Sequence, residues 1–168
     1  MPRLQKNLTI ALTLIVVAGF FGVVSLNAAP RLEITMRLGH DQPAVTRLGP
    51  PVRVIGEGEL QIIRQGPVYF DLRSLDWYDQ AVVELEYRDQ GLTLQQMGIQ
   101  AGEGFSYRLQ SPVERQTLAD GWERSAYQFD LHNAYALKNV RRFLLDVQPT
   151  QRTGGELQLR SLRITLLR

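Results

Sequence analysis

The chain has 168 residues, 44% of them hydrophobic, which suits one packed domain and excludes a disordered chain. It has no cysteine, which excludes disulfide bonds, thiolate catalysis and cysteine zinc sites. Of the 19 basic residues only Arg3 and Lys6 precede Pro30, whereas all 17 acidic residues follow it, so the part beyond Pro30 is neutral and does not indicate a nucleic-acid partner.

The N-terminal residues 8–26 contain no charge and no proline. As a helix they would be roughly 28 Å long, close to the thickness of a bilayer's hydrocarbon core. A cleaved signal peptide is the alternative, but the following residues SLNAAP place Asn27 or Leu26 at the −3 position, where small residues are preferred. We therefore favour an uncleaved membrane anchor. The preceding Arg3 and Lys6 predict a cytoplasmic N-terminus and an extracytoplasmic remainder.

Beyond Pro30 the pattern is that of short β-strands. Apolar and polar residues alternate over 31–38, which predicts a half-buried strand, and the Gly- and Pro-containing residues 40–51 predict a loop or linker. From residue 52 onward, strand-like segments recur with turn sequences between them. The segments are ELQIIR (59–64), GPVYFDL (66–72), AVVELEYR (81–88), LTLQQMGIQ (92–100), FSYRLQ (105–110), RSAYQFDL (124–131), VRRFLLDV (140–147) and ELQLRSLRITLLR (156–168).

The last segment changes its alternation internally. Leu157 and Leu159 share one face, but the next apolar residue, Leu162, follows after a step of three. One extra residue near Arg160 and Ser161 would return the apolar side chains to a single face. The sequence therefore predicts a β-bulge at that point.

The predicted elements indicate an all-β fold. No segment beyond the anchor has a long helical period, and residues 133–139 are predicted to form one helical turn at most. About nine unevenly spaced strands with several long connections favour a jelly-roll-like antiparallel β-sandwich. We divide the chain into a membrane anchor or signal peptide (1–30), a strand and linker (31–52) and a β-sandwich domain (53–168).

Over roughly residues 53–168 the chain resembles the jelly rolls of the galactose-binding-like and carbohydrate-binding-module superfamily. The resemblance lies in YFDLRSLDWYDQAVVELEYR (69–88), GWERSAYQFDL (121–131), RRFLLDVQP (141–149) and GGELQLRSLRITLL (154–167). It implies a two-sheet sandwich, whereas fold similarity of this kind does not by itself imply a ligand. Many members hold a calcium between loops and carry an Asp-Asn pair in the final strand, where this chain reads LRSLRI.

Aromatic residues in or beside the predicted loops are the candidate binding residues. A sugar stacks its apolar C–H face on an exposed ring, while polar side chains bind its hydroxyls. The predicted ligand-binding residues are Trp77, Tyr78, Asp79, Tyr107 and Trp122. The alternative for both tryptophans is a ring that caps the core, and we favour it. Tyr78 is then the exposed ring, because neighbouring residues of an extended chain point in opposite directions.

Catalysis is not indicated. The two histidines, His40 and His132, fall in the predicted linker and at a strand end, and the acidic residues are explained by solvation. We predict no catalytic residue, no enzyme and no cofactor, with calcium at Asp76 and Asp79 as the one metal worth testing.

Charge is uneven along the chain. Residues 71–89 are mainly acidic and residues 138–168 mainly basic. This pattern fits either a basic docking face or ion pairs between neighbouring strands, and we favour the ion pairs.

The predicted function is a membrane-anchored extracytoplasmic module, attached through residues 8–26, that binds a glycan or another cell-envelope polymer. The alternative is a structural or assembly subunit that docks onto a protein partner in an envelope complex.

Overall fold

The computed structural model describes residues 13–17, 30–150 and 154–168. The chain divides into two compact units, Met1–Pro30 and Arg31–Arg168. In the first unit, residues 13–17 are helical. No helix within the described residues has the length and apolar character needed to span a membrane. Residues 8–12 and 18–26 lie outside the described part, so the membrane anchor stays a prediction.

The second unit is an antiparallel β-sandwich, with eleven strands among its described residues. The strands are β1 (Arg31–Thr35), β2 (Val54–Glu57), β3 (Leu60–Ile63), β4 (Val68–Arg73), β5 (Gln80–Gln90), β6 (Leu92–Gln100), β7 (Tyr107–Gln110), β8 (Glu114–Thr117), β9 (Glu123–Asp130), β10 (Val140–Pro149) and β11 (Glu156–Leu167). A single 3₁₀ turn, Ala119–Gly121, lies between β8 and β9. The predicted all-β sandwich is confirmed.

The strands form two sheets. The larger has the order β2-β3-β11-β5-β9-β8, with β1 also paired to β11, and the smaller has the order β4-β10-β6-β7. The twelve-residue β11 pairs with β5 along nearly its whole length and with β3 and β1 on its other side. The final strand is therefore the central strand of the larger sheet.

The eight strands predicted between residues 59 and 168 are all present, with ends that differ by no more than two residues. Two strands were not predicted, β2 and β8. All four residues of β8 (ERQT) are exposed, so no apolar alternation marks it in the sequence. Residues 133–139 contain no helix, and positive φ angles at Lys138 and Asn139 turn the chain there.

The predicted bulge in β11 is confirmed. Leu159 pairs with Tyr87 and Ser161 pairs with the preceding residue, Glu86, so Arg160 is the extra residue. The shift lets Leu157, Leu159 and Leu162 all remain buried.

Residues 31–52 belong to the same unit as the rest of the sandwich. β1 pairs with β11, and Met36, Val45 and Leu48 are buried in the core. The backbone of residues 45–49 also bridges to β4, with Gly49 opposite Tyr69. The segment that the sequence presents as a strand and linker is thus packed against the sandwich.

The core lies between the two sheets. Phe143 of β10 stacks on Phe70 of β4, with ring centroids 5.0 Å apart, and meets Phe129 of β9 edge-on at 5.1 Å. Phe143 therefore joins two strands of the smaller sheet to the larger sheet, in the offset and edge-to-face geometries that aromatic rings prefer.

Ion pairs between strands connect the acidic and basic segments. On the larger sheet, Glu86 accepts hydrogen bonds from Arg160 Nε at 2.8 Å and Arg124 Nε at 2.9 Å. On the smaller sheet, both oxygens of Asp71 accept hydrogen bonds from Arg142. The cross-strand interpretation of the uneven charge is confirmed for these pairs.

The environment of Glu86 determines whether its contribution to the stability of the fold rises or falls with pH. Burial raises the pKa of this carboxyl, but hydrogen bonds and positive charge from Arg124 and Arg160 outweigh burial, and the net pKa lies below the ordinary value of 4.5. At a pH above the pKa that Glu86 has in the unfolded chain, the lowered pKa in the folded state stabilises the fold. This stabilisation is lost as the pH falls through the folded-state pKa.

We expect Glu86→Gln to lower the melting temperature at neutral pH by removing the shared carboxylate. The difference from the native protein should shrink as pH falls below about 4.5, because the native Glu86 then becomes protonated too. Circular dichroism melts across this range measure it. Glu84→Gln, on the same strand and face, is the matched control. If the melting-temperature difference from the native protein had the same pH dependence for both variants, the ion pairs of Glu86 would not be its cause.

Candidate functional site

The outer face of the smaller sheet carries two adjoining depressions. One has a volume of about 710 Å³ and lies between the sheet and the loops 101–106 and 131–139. The other, of about 430 Å³, lies between the sheet and residues 46–51. Asp71 and Arg142 line both. We call the two depressions together the groove.

Strand register brings the side chains of the groove together. Asp71 of β4 is opposite Arg142 of β10, and Gln100 of β6 is opposite Tyr107 of β7. Their neighbours in the chain, such as Leu72 and Phe143, are buried in the core. Because side chains alternate along a strand, burial of these neighbours turns the polar residues outward.

Two tyrosines from opposite edges of the sheet meet over its centre. Tyr69 is on β4 and Tyr107 is on β7, which are three strand spacings apart, or roughly 14 Å. Their ring centroids are nevertheless only 5.9 Å apart, with the planes tilted by 38°. Both residues are partly exposed. We call this pair the tyrosine platform.

Small and apolar residues beneath the platform make room for it. Leu144 is paired with Tyr69 on one side and with Gly98 on the other, and both Leu144 and Gly98 are buried although they lie on the outer face. A Cβ atom on Gly98 would lie 2.9 Å from Leu109 Cδ2 and 3.4 Å from Tyr107 Cβ. The absence of a side chain at Gly98 therefore lets Tyr107 lie low over the sheet.

An ion pair fixes the polar part of the groove. Arg142 donates from Nε to Asp71 Oδ1 at 2.7 Å and from Nη2 to Asp71 Oδ2 at 2.8 Å. The hydrogen bonds that Arg142 donates to Asp71 raise the pKa of Arg142. Such bidentate pairs hold both side chains in one orientation. Asp71 keeps further lone pairs, and Arg142 keeps further N–H groups, that can form additional hydrogen bonds.

The phenol of Tyr107 stays protonated. Burial raises its pKa, and the neighbouring Tyr69 raises it further, whereas Arg142 acts in the opposite direction. A neutral phenol both donates and accepts hydrogen bonds.

The loop 101–106 forms one wall of the groove and is held by Gln100. The Gln100 Nε2 group donates to the backbone oxygens of Gly102 at 2.9 Å and Gly104 at 2.8 Å. The loop carries Phe105, whose side chain is 87% exposed and lines the groove. Tyr135 of the opposite wall is tied to the same strand through its N–H and the Gln100 carbonyl, at 2.8 Å.

One of the five predicted binding residues, Tyr107, lines the groove as described. Sequence reasoning missed Tyr69, Phe105 and Arg142 as groove residues. Tyr69 could have been found from the alternation in GPVYFDL, where Tyr69 and Asp71 fall on the face opposite to Phe70.

The structure reverses the expected roles of Trp77 and Tyr78. Tyr78 is 4% exposed and belongs to the core, whereas Trp77 is 45% exposed. Trp77 is a central residue of the turn that closes through the hydrogen bond from Tyr78 N–H to Leu75 O. The prediction that Tyr78 is the exposed ring was wrong because a turn, and not an extended chain, sets which side chain points outward.

Trp122 directly precedes β9 and is buried, but it lies outside the core cluster, so the predicted core cap is not confirmed. It is 8% exposed, and the guanidinium carbons of Arg160 and Arg88 lie 4.4 Å and 5.1 Å from its ring centroid. Cations at this distance are attracted to the indole face. Its prediction as a ligand contact stays a prediction, with a ring that is largely covered by two arginines.

Asp76 and Asp79, considered for calcium, and the two histidines do not line the groove. Asp76 Oδ1 accepts a hydrogen bond from Arg141 Nη2 at 2.9 Å, and Asp79 is exposed at the start of β5. Within the described ranges, no three His, Asp or Glu residues are grouped to hold a metal ion. His132 is exposed, and its backbone N–H donates to Asp130 in a turn. Calcium binding stays a prediction.

No protein family matches the chain, and no curated protein matches it. Solved structures do resemble it in fold. A xylan-binding module, CBM15, is 16% identical with a TM-score of 0.49, over 81% of this chain and 97% of that one. The CBM22-1–GH10 modules of Clostridium thermocellum xylanase 10B, solved with xylohexaose, are 9% identical with a TM-score of 0.45, over 80% and 28%. TmCBM27, which recognises mannan, is 11% identical with a TM-score of 0.40, over 83% and 90%.

The proteins similar in fold thus include carbohydrate-binding modules, as the sequence resemblance led us to expect. A shared fold at such low identity does not identify a ligand. The ligand is therefore argued from the groove alone.

The different burial of Trp77 and Tyr78 predicts opposite effects of truncation. Tyr78→Ala should destabilise the fold by about 3 kcal/mol, because it empties a core site. Trp77→Ala should cost less than about 1 kcal/mol, because the ring is half exposed. Urea denaturation measures both, and Tyr78→Phe is the control that keeps the ring. A larger loss of stability for Trp77→Ala than for Tyr78→Ala would indicate that Trp77 is the core residue.

Proposed function

We propose that the protein is a non-catalytic binding module that holds a polysaccharide along the groove, and that residues 8–26 tether it to the extracytoplasmic side of a cell membrane. The observation that carries this proposal is the tyrosine platform beside the Asp71–Arg142 pair, at the junction of two open depressions.

The chemistry of the groove matches that of a sugar chain. A pyranose ring has an apolar C–H face, which packs on aromatic rings, and a rim of hydroxyl groups, which bind charged and amide side chains. Tyr69 and Tyr107 supply the rings, and Asp71, Arg142 and Gln100 surround them with donors and acceptors.

The shape of the groove favours a polymer over a single sugar. The two depressions lie on either side of the Asp71–Arg142 pair and are open to solvent along the sheet. Across four strands and the adjoining residues 46–51 the surface spans roughly 15–20 Å, since neighbouring strands lie about 4.8 Å apart. An open cleft of this length lets a chain enter from the side and continue beyond both ends.

The polar groups are already in place before a ligand binds. The Asp71–Arg142 pair is bidentate, and Thr46 Oγ1 accepts a hydrogen bond from the Asp71 N–H at 2.8 Å. Groups held by their neighbours lose little conformational freedom on binding, which lowers the cost of association.

Binding should depend on the tyrosine platform. We expect Tyr107→Ala and Tyr69→Ala each to weaken polysaccharide binding roughly tenfold, the usual effect of removing a ring at the centre of an interface. Tyr107→Phe should retain most of the affinity, because it keeps the ring. The full chain, in a detergent without a sugar headgroup, can be tested against immobilised neutral and acidic polysaccharides.

The control variant is Gln128→Ala, at an exposed position on β9 of the larger sheet. Unchanged binding by Tyr107→Ala and Tyr69→Ala would refute the groove as the site. If no polysaccharide binds while a defined membrane protein is captured by the native chain, the assembly alternative replaces the proposal.

The tether predicts membrane association of the intact chain. Residues 8–26 should keep the protein in membranes through alkaline carbonate extraction, because a spanning helix is not released by breaking surface contacts. Protease added outside intact cells should cut the sandwich. A mature N-terminus near Ala29 would instead identify a cleaved signal peptide.

A further inference from the structure

The chain enters the sandwich at one of its two ends. Arg31, the first residue of β1, is opposite Leu167 of β11, and Leu167 is also opposite Gln80 of β5. The Asp79 N–H donates to Leu167 O at 2.9 Å. The loop 74–79 between β4 and β5 therefore lies at the same end as Arg31. We call it the entry end.

The loop at the entry end displays two apolar side chains. Leu75 is 38% exposed and Trp77 is 45% exposed, although each is large enough to stabilise a core by burial. Leu32, next to Arg31 at the same end, is also exposed. Trp is the residue whose apolar body and polar N–H suit a boundary between hydrocarbon and water.

The loop is held in shape by buried contacts. Arg141, itself buried, donates from Nη1 to Ser74 Oγ at 3.0 Å and from Nη2 to Asp76 Oδ1 at 2.9 Å. Tyr78 inserts its ring in the core immediately after Trp77. Trp77 is thus presented on a turn that is fixed on both sides.

The sequence places an apolar segment close to this end. Four residues, 27–30, separate residues 8–26 from Arg31. An extended chain advances at most about 3.6 Å per residue, so the entry end can lie no more than roughly 18 Å from where that segment would leave a bilayer. The short connection thus sets an upper limit on the distance between Arg31 and the lipid in the tethered chain proposed above.

We propose that the entry end rests on the membrane, with Leu75 and Trp77 inserted among the lipid headgroups. The proposal rests on the tether proposed above and adds a second contact between the protein and the lipid. Exposed charges in and around the loop are mixed in sign, with Arg31 and Arg73 positive and Asp76 and Asp79 negative. The contact therefore depends on the apolar side chains and does not require anionic lipid.

The two tryptophans of the chain allow a direct test. Trp122 precedes the first residue of β9, whereas the last residue of that strand, Asp130, is opposite Gln80 at the entry end. Eight residues of strand place Trp122 roughly 24 Å from this end. The variant Trp122→Phe leaves Trp77 as the sole indole, and Trp77→Phe leaves Trp122.

Each variant of the full chain is reconstituted in phosphatidylcholine vesicles, with and without lipid brominated near the glycerol end of its acyl chains. We expect brominated lipid to quench much of the Trp77 emission and to leave the Trp122 emission unchanged. Leu75→Asp in the Trp122→Phe background should reduce the quenching. Val52→Asp, also exposed and near the start of β2 at the far end, is the matched control.

The outcomes separate the two proposals. A chain that fails to enter the vesicles refutes the tether, and the lipid contact with it. A chain that enters but shows no quenching of Trp77, or shows quenching of Trp122 instead, overturns the lipid contact alone. Equal effects of Leu75→Asp and Val52→Asp would also overturn it.

Discussion

The sandwich depends on the contact between its two sheets through Phe143. This ring stacks on Phe70 within the smaller sheet and meets Phe129 of the larger sheet edge-on. Once Phe70 and Phe143 point inward, alternation forces their neighbours Tyr69, Asp71 and Arg142 outward. The candidate groove is therefore a consequence of core packing. Strand β10 supplies Phe143, the ring that reaches the larger sheet, and β4 and β10 together supply the Asp71–Arg142 pair of the groove.

Much of the fold could be predicted from the sequence because strands with one buried face alternate visibly. The bulge at Arg160 was predictable for the same reason, as a single break in that alternation. The β8 strand was not, because it is exposed at every position and is defined only by its pairing with β9. Residues 40–51 have the composition of a linker, and their packing depends on core sites that Val45 and Leu48 happen to fill.

The groove was harder to predict because it depends on contacts between distant parts of the chain. Tyr69 and Tyr107 lie on opposite edge strands, and only the strand order and the small residue Gly98 bring their rings together. Sequence reasoning selected Tyr107 and overlooked Tyr69. The choice between Trp77 and Tyr78 failed for a more local reason, since a turn between β4 and β5 decides which ring enters the core.

The central position of β11 has a consequence for how the chain must be made. This strand follows every other described strand in sequence, yet it supplies the neighbour for β1, β3 and β5. While the ribosome is still adding residues before 156, those three strands lack the partner that completes their hydrogen bonds. Pairings across such long sequence separations form late. The larger sheet therefore cannot close until residues 156–167 have been synthesised.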